Sequence, residues 1–131
     1  MRPLLLLLCL LAGACAAGAG NQRFSGQEWR ASDINGVPVT GDRALTLRLQ
    51  DGEQASGNAG CNSFSGTYQL MRDEGIRFGT LTTTRMACPP EIMEQERRFL
   101  SILETVRGYS FYSDGGMSLI SPDGRAIRFR K

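Results

Sequence analysis

Between Trp29 and Arg130 the chain is cut at short intervals by turn-forming residues, and that spacing restricts most of it to short strands. Asn35-Gly36, Asp51-Gly52, Asp73-Glu74-Gly75, Asp114-Gly115-Gly116 and Pro122-Asp123-Gly124 are the cuts. Between them the side chains alternate. In "RALTLRLQ", Leu45, Leu47 and Leu49 fall on one side and Thr46 and Arg48 on the other. "GIRF" alternates Ile76 and Phe78 with Arg77, and "YSFYSDGGMSLISPDGRAIRF" supplies three more short strands. Trp29 falls on an opening strand, and Tyr68 and Leu70 continue the alternation at the end of a glycine-rich stretch, "GNAGCNSFSGTYQL". Many strands with turns at short intervals predict an antiparallel barrel or sandwich.

One segment has a different period. "PPEIMEQERRFLSILETVRG", Pro89 to Gly108, reads as the only helix: proline suits its first turn, Glu91 and Glu94 its positive end, and Gly108 its stop. Glu94 and Arg98 stand as an i,i+4 pair. At about 100° per residue, Ile92, Phe99, Leu100, Leu103 and Val106 share a face that should pack on the sheet. Glu96 projects into that same face. A carboxylate there must reach water at the edge, line a cavity, or be held by hydrogen-bond donors, as in a pin on the glycine-rich loop.

The chain opens on "MRPLLLLLCLLAGAC", with one charge at Arg2 and an apolar run too short for the roughly 20 residues of a spanning helix. Residues 1–14 therefore read as a signal peptide. Leu11-Ala12-Gly13-Ala14-Cys15 resembles a lipobox, which makes Cys15 the lipidation candidate; ordinary cleavage between Ala14 and Ala17 is the competing route. Residues 15–26 are small and polar and read as a flexible tether, with the folded domain over 27–131. Export bears on the remaining cysteines. In an oxidising compartment Cys61 and Cys88 are expected to form a disulfide, worth about 3.5 kcal/mol by chain entropy.

Several chemistries are missing from the sequence. It contains no histidine, so neither a Ser-His-Asp nor a Cys-His constellation is available. The glycine-rich stretch matches no phosphate-binding motif, and Cys61 and Cys88 lack C-x-x-C spacing. Most acids occupy turns, where they cap the backbone. Lys and Arg number 15 against 13 Asp and Glu, a balance without the footprint of a nucleic-acid binder. The chain is expected to be non-enzymatic, without cofactor or metal. In "TLTTTRMACPPE", Arg85 is either an ion-pair partner for Glu96, an exposed contact for another protein, or a solvated side chain.

Three motifs in order, "GCNSFSG", "TTTRMAC" and "MEQERRFLSIL", resemble the META domain family, which includes HslJ-like heat-shock lipoproteins. The resemblance runs from Trp29 and "DINGVPV" to "GRAIRFR". It implies a mainly β fold, a small antiparallel barrel-like domain with one α-helix packed against the sheet. It also carries over Cys61 and Cys88 as the bridging pair, Asn62 as the loop residue beside the first, and an acidic residue at Glu96; it carries over no catalytic group. The function expected on this basis is that of an envelope lipoprotein, a monomer anchored to the membrane through Cys15 and supporting another envelope component, with a part in stress response. Because Ala16 follows Cys15, Gram-negative sorting rules would place it on the outer membrane facing the periplasm. The alternative is a secreted or periplasmic soluble barrel that inhibits a hydrolase or carries a small apolar ligand.

Overall fold

The computed structural model describes residues 23–131; the expected signal peptide, the lipidation candidate Cys15 and most of the expected tether lie outside the described residues. From Glu28 on, ten strands and one helix follow in the order β1 (Glu28–Ile34), β2 (Val37–Pro38), β3 (Thr46–Gln50), β4 (Gln54–Asn58), β5 (Ser63–Met71), β6 (Gly75–Phe78), β7 (Thr82–Thr83), α1 (Pro90–Thr105), β8 (Gly108–Phe111), β9 (Met117–Ile120) and β10 (Ala126–Arg130). The barrel is closed and antiparallel. Its eight staves run β1-β3-β4-β5-β6-β8-β9-β10, and β10 returns to β1. The two shortest strands extend the sheet locally, β2 on β1 and β7 on β5.

The turns do what their residues dictate. Asn35 and Gly36 both take positive φ, 51° and 80°, as a two-residue hairpin between β1 and β2 requires. Asp51-Gly52 joins β3 to β4, and the leucines of the alternating stretch point inward: Leu45, Leu47 and Leu49 are buried. The interior is filled by side chains from every stave, with Trp29, Phe99, Phe129, Ile76, Met117 and Leu119 among the largest. Phe99 from the helix stands between Phe64 and Phe129, with ring centroids at 5.9 and 6.3 Å.

The opening strand is more completely packed than its composition suggests. Trp29 and Ala31 face inward, and a bulge between Ala31 and Asp33 then resets the alternation, so Asp33 turns outward and Ile34 inward. The bulge lets one strand hold Phe129 and Ile127 of β10 on one edge and both β3 and β2 on the other. "WRASDI" is a buried strand read with one extra residue.

The helix spans Pro90–Thr105, slightly shorter than the 89–108 expected, with Pro89 as its N-cap residue and Val106 at its C-cap. Phe99, Ile102 and Leu103 form its buried centre; Ile92 and Leu100 lie at the margin. Glu94 pairs with Arg97 rather than Arg98, the i,i+3 neighbour being equally close on a helix surface. At its other end the domain begins earlier than Gln27. Phe24, expected within the polar tether, is fully buried and packs edge-on against Tyr109 at 4.9 Å and against Phe111 at 5.1 Å.

Candidate functional site

The glycine-rich stretch resolves into two strands and a four-residue corner, Ala59–Asn62. Ser63 to Leu70, the second half of the stretch, is β5 rather than loop. Gly57 and Gly60 have separate reasons to be glycine. A Cβ on Gly57 would stand 2.0 Å from the Thr46 carbonyl oxygen, and Gly60 adopts φ +110°. The corner is thus drawn close to β3 and turned sharply toward the helix.

Two adjacent polar residues of the helix meet it. Glu96 is buried, and its carboxylate accepts three hydrogen bonds from the corner. Oε1 accepts the backbone N–H of Cys61 at 3.2 Å and of Asn62 at 2.6 Å, while Oε2 accepts the Asn62 side-chain amide at 2.8 Å. Gln95, the residue before it, lies flat against a neighbouring loop: its amide accepts from Thr40 N and donates to Thr40 O, both at 2.9 Å. The apolar face of the helix therefore carries a polar margin that fastens two loops. Burial of these groups is tolerated because each finds a partner of the right sense.

Asn62 is the hub. Its amide nitrogen donates to Glu96 and, at 3.3 Å, to the carbonyl of Met86; its amide oxygen accepts the Met86 N–H at 2.6 Å and the Thr84 hydroxyl at 3.0 Å. Thr84 in turn accepts the Ser63 N–H on its hydroxyl at 3.1 Å and donates its own N–H to the Ser63 carbonyl at 3.1 Å. Two residues beyond Met86 the disulfide closes: Cys61 and Cys88, 27 apart in sequence, have Cα atoms 6.0 Å apart. Residues 84–88 are fastened to the barrel at Thr84, at Met86 and at Cys88. Arg85 and Met86 project from that frame, both exposed, the Met86 side chain by about half.

The structure brings Cys61, Cys88, Asn62 and Glu96 together and leaves Arg85 on the rim. No ion pair joins Arg85 to Glu96 among the described residues; the carboxylate is held by N–H groups, and the guanidinium faces solvent. Gln95 and Thr84 were not singled out in the sequence. The signal for Gln95 was the same as for Glu96, a polar residue on the apolar face of the helix. Among the described residues no group of three or more potential metal-ligating side chains clusters together.

Fold and corner together define a class: a small closed barrel, covered by one helix that an acidic side chain and a disulfide bind to a glycine-rich loop. The chain belongs to the META domain family, whose model matches residues 22–131. Solved structures agree on the fold. An NMR structure of a protein from Burkholderia xenovorans is 28% identical, with a TM-score of 0.68 and 85% of each chain covered. A second NMR structure has a TM-score of 0.69 at 20% identity, covering 84% of this chain and 92% of the other. A crystal structure of a DUF4847 family protein from Bacteroides vulgatus has a TM-score of 0.65 at 15% identity, over 84% and 95% of the two chains. No curated protein matches the chain.

Proposed function

We propose that this META-family protein is a non-enzymatic lipoprotein of the bacterial envelope that binds another envelope protein through the 84–88 loop. The observation that carries the reading is the way this loop is built. Its backbone is fixed by the Asn62 amide and by the disulfide, while Arg85 and Met86 are offered to solvent. A loop already ordered forfeits little entropy on binding. Arginine and methionine are enriched in protein interfaces, one supplying directional donors and the other an adaptable apolar contact. The membrane anchor would be Cys15, on the outer membrane facing the periplasm, and the process served would be a response to envelope stress.

A photo-crosslinking residue placed at Met86 tests the docking surface in living envelopes. A defined adduct is expected from position 86 and none from Ser113, also exposed, on the β8–β9 turn; equal labelling from both would remove the loop from the reading. Anchoring has its own test. Mass spectrometry of the mature protein should find a diacylated N-terminal Cys15, and a free amine at Ala16 or beyond would sink that part alone. The same fixed, protruding loop favours one second reading, the plug of a hydrolase inhibitor. An adduct with a hydrolase that loses activity in the complex would select it.

A further inference from the structure

At the mouth of the barrel nearest the start of the domain, Arg23, Gln27, Trp29, Phe111, Tyr112 and Lys131 line a depression of about 360 Å³. It lies away from the stapled corner, and three features of it are unexplained by the fold. The Trp29 indole is fully buried, yet its Nε1–H has no acceptor among the described residues. Buried donors are almost always paired, and the residue that carries this orphan also lines the depression, so an acceptor is missing beside it. The rim is cationic. Arg23 stacks over Phe111 at 5.3 Å, the Lys131 side chain lies over Gly115, and no acidic residue lines the depression. Asp114, next to the lining Gly115, is committed elsewhere, accepting the Gly116 N–H at 2.8 Å and pairing with Arg128 at 3.7 Å. The walls, finally, are aromatic: Trp29 and Phe111 stand 6.1 Å apart with their planes at 44°.

We propose that this mouth is a binding site for a small organic carboxylate with a flat apolar body. One carboxylate oxygen takes the indole N–H, the guanidinium of Arg23 and the ammonium of Lys131 hold the charge, and the apolar body lies against Phe111 and Tyr112. The volume falls within the range of small-molecule sites, and a few polar groups stand among aromatic walls, the composition of such sites. A neutral acceptor would satisfy the indole but leave the two cations unused; an inorganic anion would satisfy the cations but leave the aromatic walls bare.

Trp29 is the single tryptophan of the chain, so the site carries its own reporter. Titration of the ¹⁵N-labelled mature protein with benzoate should move the one indole N–H resonance downfield along a saturable curve, and benzamide should not. Arg23→Gln and Lys131→Gln, both surface changes, should each weaken benzoate by about tenfold, the weight of a charge-assisted hydrogen bond. An indole resonance unmoved by about 50 mM benzoate, well above millimolar binding, would overturn the proposal. So would an equal response to benzamide, or affinity unchanged in both variants. A third outcome is equally decisive against it: an indole N–H already bonded in the mature protein and released when residues before Arg23 are removed would make the occupant the chain's own segment.

Discussion

Glu96→Leu is expected to destabilise the domain by about 3–5 kcal/mol, although it replaces a buried charge with an apolar side chain of similar size on an apolar helix face. The reason lies in what the carboxylate leaves behind. Cys61 N, Asn62 N and the Asn62 amide all point at it, and a leucine would leave two buried backbone N–H groups and one of the two Asn62 amide hydrogens without acceptors. For a domain of this size, a loss of that order lowers the melting temperature by roughly 10 °C or more. Glu96→Gln separates shape from chemistry. The glutamine oxygen keeps the two backbone donors, but its NH₂ faces the NH₂ of Asn62, so a loss intermediate between wild type and leucine is expected. A leucine variant that melts at the wild-type temperature would mean that the pin contributes nothing.

The second large effect belongs to the disulfide. Replacing Cys61 and Cys88 together by serine should cost about 3.5 kcal/mol, the chain-entropy value for a loop of this length, read as a lower urea midpoint at constant slope. Removing the bridge does not free the whole loop. Met86 keeps its two backbone hydrogen bonds to Asn62, and Thr84 its bonds to Ser63 and Asn62. The serine protein should therefore fold and gain motion chiefly at 87–89. If hydrogen exchange showed Thr84 and Met86 as unprotected as Ala87, the Asn62 clamp would not be an independent fastening. Because Cys61 and Asn62 both donate to Glu96, the two sets of changes should be non-additive when combined.

The strands were legible because their signals are local. Turn residues at Asn35-Gly36, Asp51-Gly52 and Pro122-Asp123-Gly124, and alternation through Leu45, Leu47 and Leu49, act within a few residues of themselves. The closure of the barrel was not. Pairing Ala31 with Phe129 joins the two ends of the domain, and neither residue carries a mark of the other. The bulge in β1 was hidden for a related reason: it breaks the period that alternation depends on. Phe24 was hidden by its polar company, since one aromatic residue makes no pattern. The site divides the same way. Helical spacing placed Glu96 on the buried face, but its donors come from a loop 34 and 35 residues earlier in the chain. Gln95 carried the same helical signal as Glu96, but its partner, the backbone of Thr40, is announced by no side-chain pattern.

One seam of the barrel is unlike the others. Where β10 meets β1 through four residue pairs, β6 and β8 meet at a single one, Gly75 with Gly108, supported by backbone bonds from Ile76 to Arg107 and from Tyr109 to Glu74. The chain between these two strands is the segment that carries β7, the disulfide loop and the helix, and the helix packs against β6 and β10. The ring is closed, but its β6–β8 seam is the one with a single residue pair, and α1 packs against one of the two strands that form it. Glu96 ties that helix, and the disulfide the loop before it, to the corner between β4 and β5, so loosening either is expected to be felt at the seam. Local opening of the sheet is therefore expected first at that gap, read as faster hydrogen exchange at Ile76 and Tyr109 than in the β1–β10 pairs.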